Sequence, residues 1–186
     1  MIGKNKQIVY YSKLICEDWN FYLAATEKGL CFVGSQNETI TEVEDWVNKK
    51  IPKAVLKEDK IKLSNYVEQF EEYFLGKLQT FNFSIDLYGT PFQKFVWMEL
   101  QNIPYGEICS YSDIAKKLNK PSAVRAVGSA IGANPVMIVV PCHRVLSKSG
   151  KLTGFRGGLT MKKRLLDLEQ SAKAEGGNDI SLSINI

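Results

Sequence analysis

Cys142 and His143 stand side by side in VVPCHRVL (Val139–Leu146), and His143 is the single histidine of the 186-residue chain. A thiol with an ordinary pKa near ~8.5 is mostly protonated at neutral pH. A nearby imidazole can take that proton and leave a nucleophilic thiolate. A cysteine in an apolar stretch is more often inert core than nucleophile, but the adjoining histidine moves the reading toward chemistry. Neighbouring side chains in a regular strand point to opposite faces, so a direct contact is awkward and a water would bridge the two. Pro141 suggests that a strand ends here and the backbone turns. A third group should orient the imidazole. In TMKKRLLDLEQ, Met161, Leu165 and Leu168 mark an inward helix face, with Glu169 at its margin, one turn after Leu165. On pattern alone, a glutamate there is usually solvated.

Two flanking stretches suit a bound substrate. The glycines of GFRGGL (Gly154–Leu159) allow close backbone approach, so that amide N–H groups face a ligand. GANP (Gly132–Pro135) reads as a helix stop that sets the Asn134 amide across a turn.

The stretch between Ser110 and Asn134 predicts two short helices joined by a tight turn. Ser110 and Asp113 have capping-box spacing, Ile114 and Leu118 form an apolar pair, and Pro121 opens the second helix. On that helix Val124, Val127 and Ile131 share a core face. The opposite face carries Ser122, Arg125, Ala126, Ser129 and Ala133. Small side chains with one arginine fit either tight helix packing or a helix lying along the DNA minor groove, which is only ~6 Å wide. In the second case Arg125 could enter the base stack.

These pieces need a frame. NFYLAAT, EKG and LCFVG read as strand, turn and strand. ETITEVEDWVNKK and SNYVEQFEEYFLGKL read as helices, and TFNFSIDL as a half-buried strand with Phe81, Phe83, Ile85 and Leu87 inward. Residues 1–87 are therefore expected to form a small α/β domain of antiparallel strands and two helices. After YGT, Thr90 caps a helix begun by Pro91, and residues 88–170 read as mainly helical apart from the run Val136–Val140. Residues 171–186, Gly- and Ser-rich, read as a mobile tail.

Charge divides the chain in the same way. Residues 1–90 carry a net −2, residues 91–170 a net +7, and all four arginines lie in the basic part. That asymmetry suggests a polyanion partner for the second half. Four cysteines with no CxxC spacing and one histidine argue against a zinc site and fit reduced thiols in a cytoplasmic protein (nuclear in a eukaryote). No apolar run suggests a membrane span, and the N-terminus lacks the apolar region of a signal peptide.

The motifs EQFEEYFLGK, GTPFQKFVW, IPYGEICSYSDIA, RAVGSAIGANP, PCHRV, GFRGGL and LLDLE occur in this order between Val67 and Glu169. Together they resemble the DNA repair alkyltransferases that act on O6-alkylguanine. Residues 1–65 resemble that family's ribonuclease-like domain only in their strand and helix pattern. The resemblance implies an α+β chain whose C-terminal domain is winged-helix-like and carries a DNA-binding helix-turn-helix. It implies Cys142 as alkyl acceptor, His143 as base through a water, Glu169 as the carboxylate orienting it, and Asn134 as the bridge between the DNA-facing and thiol-bearing segments. Arg125 corresponds to the finger that replaces a flipped base, and Tyr111 to the residue that helps rotate the nucleotide and contacts the base edge. Ala126, Ser112, Lys120 and Lys148 fall at DNA-facing positions. Val145, Phe155 and Arg156 join Tyr111 around the base, with the backbone of Cys142 and Val145 and the amide near Arg156 reading the guanine edge.

The implied reaction needs no cofactor and no metal. The implied partner is double-stranded DNA carrying O6-alkylguanine or O4-alkylthymine, held through the minor groove by a monomer. Phe155 replaces a tyrosine of many relatives, and Met137 a pocket-wall proline of some. The four-cysteine zinc module of the family's adaptive-response regulators is absent. Two other readings remain at this point: a helix-turn-helix regulator with an incidental thiol, and a cysteine hydrolase that turns over.

Overall fold

In the computed structural model the backbone is described for residues 6–176 and the side chains for residues 6–174. Strands β1 (Ile8–Cys16), β2 (Trp19–Thr26), β3 (Gly29–Val33) and β4 (Val55–Glu58) form one sheet in the order β3-β2-β1-β4. The pairings β1–β2 and β2–β3 are antiparallel, but β4 joins β1 in parallel, so the expected all-antiparallel sheet is mixed. At four residues with a burial pattern that does not alternate, β4 left no readable period.

Helix α1 (Ile40–Lys50) covers one sheet face through Val43 and Val47, which pack on Val9, Ala24 and Phe32. Helix α2 (Lys60–Phe74) covers the other through Leu63, Phe70 and Phe74, which pack on Leu14, Phe21 and Leu23. This alternation of partners along β1 and β2 follows from the period-two geometry of a strand. The TFNFSIDL segment departs from expectation. Its four apolar residues pack inward, but it makes only a single bridge, Leu30 to Ile85, instead of a ladder. Gly29 allows the approach: a Cβ there would stand 2.3 Å from the Ser84 carbonyl oxygen.

Helix α3 (Pro91–Leu100) begins at the capping box of Thr90 and Gln93. Its Trp97 Nε1 donates to the Ala130 carbonyl at 2.7 Å, tying it to the helix that carries Ala130. Strand β5 (Cys109–Ser110) runs directly into α4 (Tyr111–Lys117), capped by Ser110 and Asp113 as the sequence predicts. Pro121 opens a single 3₁₀ turn, Pro121–Ala123, and α5 (Val124–Gly132) follows.

The apolar run Val136–Val140 is a turn rather than a strand, with Ile138 at φ 78° and the Val140 amide bonded to the Val136 carbonyl at 2.9 Å. Cys142–Arg144 then makes a 3₁₀ turn, followed by β6 (Val145–Leu146), which pairs in parallel with β5. The last helix, α6, spans Gly158–Gly176 and so continues beyond residue 170. The rest of the expected tail, 177–186, lies outside the described residues. The mainly apolar core runs from β1 and α2 through α3 to α5, Cys142 and α6 without a break, so the two domains share it.

Candidate active site

The thiol lies where three backbone devices meet. The turn after α5 presents Asn134, the 3₁₀ turn presents Cys142 and His143, and α6 brings Glu169 beneath them. Asn134 is held at both ends of its amide. Its Oδ1 accepts from the Val136 amide at 2.9 Å, and its Nδ2 donates to the Val140 carbonyl at 2.8 Å and to Cys142 Sγ at 3.1 Å. Burial pushes the Cys142 thiol above its ordinary pKa, while the Asn134 hydrogen bond and the charges of Arg156 and Lys162 pull it down. At rest the group is therefore a thiol whose surroundings favour the anion once the proton leaves.

His143 is fully buried, and its Nε2 lies 2.8 Å from Glu169 Oε1. Burial lowers its pKa, and Glu169 only partly offsets this, so the imidazole is neutral at neutral pH. An ionised carboxylate only accepts, so Nε2 carries the proton and Nδ1 the lone pair. Nδ1 is buried with no hydrogen-bond partner among the described residues. Glu169 is wholly buried at the centre of the cluster rather than solvated at a helix margin. Burial raises its pKa, but hydrogen bonds from His143 and Arg144 outweigh that and hold it far below the usual carboxylate range.

Three residues of this cluster carried no role in the sequence reading. Arg144 spans Glu169 with Nε and Nη2, at 2.9 and 2.8 Å, and its Nη1 donates to the Ile103 carbonyl at 2.6 Å. Tyr73, from α2, donates its hydroxyl to Glu169 Oε1 at 2.6 Å. Lys162 is fully buried, with Nζ on the carbonyls of Val145 at 2.6 Å and Thr153 at 2.8 Å. The signal for Lys162 was spacing: Lys162, Leu165, Leu166 and Glu169 fall on one helical face. Arg144 was readable only as the neighbour of His143. Tyr73 sat one position off the apolar stripe of α2 and gave no signal.

The substrate-facing residues are brought together by the β5–β6 pair, which sets Cys109 opposite Val145 and so places Tyr111 beside the thiol-bearing segment. The Tyr111 hydroxyl donates to the Thr153 carbonyl at 3.2 Å, the same oxygen that Lys162 holds. Gly128 lies beside the Tyr111 ring, where a Cβ would make an ordinary contact at 3.7 Å. Phe155 is partly buried against the core and Val145 wholly buried.

The Arg156 side chain reaches the sheet domain. It bonds Glu42 Oε1 at 2.8 Å, the carbonyls of Val33, Pro135 and Asn134, and stacks over Phe32 at 4.6 Å. Only its backbone is left for a ligand, and its side chain latches the glycine loop to α1.

The small face of α5 and its two flanking turns is open: Ser122, Arg125, Ala126, Ser129 and Ala133 are all exposed, while Val127, Ala130 and Ile131 are buried. Lys120 and Lys148 are exposed on the turns before α5 and after β6. Ser112 shares a hydrogen bond of 2.7 Å with the capping Ser110. No helix among the described residues is long and apolar enough to cross a membrane.

Comparison with known proteins agrees with this arrangement. The family model for the DNA binding domain of 6-O-methylguanine DNA methyltransferase matches residues 91–171, and that for its ribonuclease-like domain matches residues 9–87. An inducible methylated-DNA–protein-cysteine methyltransferase of Bacillus subtilis is 54% identical over 171 residues, spanning 92% of this chain and 96% of that protein. One from Methanosarcina mazei is 41% identical over 163 residues, spanning 88% and 98%. The crystal structure of Mycobacterium tuberculosis O6-methylguanine methyltransferase matches with a TM-score of 0.75 at 38% identity, covering 88% of this chain and 94% of that one. The same holds for that protein in complex with DNA. The chain belongs to the 6-O-methylguanine DNA methyltransferase family.

Proposed function

We propose that this protein repairs DNA by moving the alkyl group of O6-alkylguanine, and of O4-alkylthymine, onto Cys142 in a single irreversible turnover. The observation that carries the reading is the contact of Asn134 Nδ2 with Cys142 Sγ at 3.1 Å, above a buried His143–Glu169 pair at 2.8 Å. The thiol proton passes through a bridging water to His143 Nδ1, and Glu169 holds the imidazolium that forms. Sulfur attacks the alkyl carbon, the carbon–O6 bond breaks with its electron pair going to the base, and guanine leaves once protonated. The product thioether offers water no ready leaving group, so the protein is spent.

The chain binds DNA. We assign the contact to the minor groove because the exposed face of α5 is stripped of bulk except for Arg125. Flipping then brings the lesion under Tyr111, Val145, Phe155 and the backbone at Arg156, while Ser112, Lys120 and Lys148 meet the DNA backbone and Ala126 lies on the DNA-facing side of α5. A monomer suffices, since every group in this scheme comes from one chain. Four free cysteines fit a reducing cytoplasm. We place the domain boundary near residue 88, with 1–87 and 88–170 as the two units, next to the junction of the two family matches.

Mass spectrometry after mixing with methylated duplex DNA tests the reading. One methyl group is expected on the peptide holding Cys142. Methyl on Cys16, Cys31 or Cys109, or continued release of product, would overturn it. Retained DNA binding without any transfer would favour the regulator reading.

A further inference from the structure

The relay carboxylate receives more donors than its orientation of His143 requires. Five N–H and O–H groups converge on Glu169: the Tyr73 hydroxyl, His143 Nε2, Arg144 Nε and Nη2, and the Gly106 amide. A carboxylate offers about four lone-pair sites, so its capacity is filled. The closest of the five is Tyr73, at 2.6 Å, and it shares Oε1 with His143. It is also the one donor from the sheet domain, since α2 lies far before the helix-turn-helix in the chain.

Tyr73 is built in firmly. Its side chain is fully buried, and its ring meets Phe74, Phe81 and Tyr105 at centroid distances of 5.6, 5.2 and 5.9 Å. Packing alone would be served equally well by phenylalanine, as at Phe70 and Phe74 on the same helix. The hydroxyl therefore has a separate use, and among the described residues its one hydrogen bond is to Glu169 Oε1.

Oε1 also accepts from Arg144 Nη2 at 2.8 Å, and an oxygen shared among several donors is a weaker acceptor for each, so that removing the closest one strengthens the rest. Without the phenol, Glu169 would draw more strongly on the His143 Nε2 proton and stabilise the imidazolium. The imidazole would then be protonated at a higher pH, and a protonated imidazole cannot accept the thiol's proton. We infer that Tyr73 is a positioning residue for alkyl transfer: its hydroxyl fixes the Glu169 carboxylate and tempers its pull on His143, so that His143 stays a free base at neutral pH.

Arg144 on the 3₁₀ turn disfavours the imidazolium, as does Lys162 on α6, while Glu169 favours it. Tyr73 from α2 and Tyr105 from the loop after α3 both lie near Glu169, and both hold their protons more firmly than a free phenol, chiefly through burial. Tyr73 is thus a donor at every accessible pH. The sheet domain takes part in the chemistry through this one hydroxyl.

The inference rests on the relay proposed above, and the single histidine allows a test that does not depend on activity. The imidazole of His143 can be followed alone by NMR as pH is varied. Tyr73→Phe keeps the ring packing and is expected to raise the imidazole titration by roughly half to one pH unit. The acid limb of single-turnover methyl transfer should move upward with it. Tyr105→Phe, which removes a neighbouring hydroxyl with no bond to Glu169, should leave the imidazole titration in place. Global replacement of tyrosine by fluorotyrosine strengthens the donor and should move the imidazole the opposite way; it decides the matter alone if Tyr73→Phe does not fold. An unmoved or lowered titration in folded Tyr73→Phe would overturn the inference. Failure of the wild-type protein to methylate Cys142 would instead overturn the proposed reaction, and the imidazole titration would still report on Tyr73.

Discussion

Asn134 aims one N–H at Cys142 Sγ from 3.1 Å while the rest of its amide is committed to Val136 and Val140. The amide cannot rotate without breaking two backbone contacts, so its donor is preorganised for a sulfur anion. Hydrogen bonds to charged groups contribute about 1.5–3 kcal/mol, or roughly ten- to a hundredfold in rate. Asn134→Asp keeps an acceptor for the Val136 amide but places a carboxylate oxygen where the donor stood. Thiol labelling in this variant should require higher pH than in the wild type, with methyl transfer slowed at least tenfold in that range. Unchanged labelling at all pH values would show that Asn134 only shapes the turn.

Acid should destabilise this protein in two windows, and the signs follow from the relay. His143 has a lowered folded pKa, so the unfolded chain binds its proton first. Stability is then complete above the unfolded value of about 6.5 and falls as pH drops toward the folded one. Glu169 also has a lowered folded pKa, so its contribution is present above about 4.3 and is lost as pH falls further. Denaturant midpoints measured from pH 8 to pH 3 should show the first decline in the wild type and not in His143→Gln. Transfer should slow on the order of 10²–10⁴ in His143→Ala, with DNA affinity retained.

The latch between Arg156 and Glu42 joins the glycine loop to the sheet domain at 2.8 Å, with both side chains about a quarter exposed. Removing either partner strands the other, at a cost of about 1–3 kcal/mol given the partial exposure. Glu42→Gln and Arg156→Gln are each expected to lower the midpoint of thermal unfolding by several degrees. The double variant should lose less than their sum, because no unpaired charge remains. Strict additivity would mean that the ion pair carries no coupling.

What the sequence revealed and what it hid divide along a physical line. Caps announce themselves locally, so Thr90, Ser110 and Asp113 could be read from spacing alone. The amphipathic face of α5 was legible for the same reason, and every residue assigned to its outer side is exposed. The identity of the thiol pair came from adjacency. The partners of Glu169 did not, since Tyr73 lies 96 residues away in sequence and its contact exists only after α2 and α6 have packed into one core. The Arg156 side chain was equally hidden: only its backbone amide had an expected place at the base, and the partner of its guanidinium, Glu42 on α1, lies 114 residues away in sequence. Short strands such as β4, and turns such as Val136–Val140, carry too few residues for periodicity to separate them.

Arg125 is exposed on α5 between Val124 and Ala126, and it is the one long side chain on a face otherwise made of Ser122, Ala126, Ser129 and Ala133. A base within the duplex keeps its O6 atom away from a thiol that is itself buried, so it must be turned out of the stack. Flipping costs a few kcal/mol in lost pairing and stacking, and a side chain entering the gap recovers part of that. Arg125→Ala is therefore expected to slow repair of duplex DNA by about tenfold or more, since each ~1.4 kcal/mol of lost compensation is tenfold. Transfer from free O6-benzylguanine, if the pocket admits it, should be nearly unchanged because nothing has to be unstacked. Single-stranded DNA should fall between the two. Rates on all three substrates, measured with one protein preparation, separate the roles: equal slowing on free base and duplex would show that Arg125 supports the fold or the pocket rather than the flipped state.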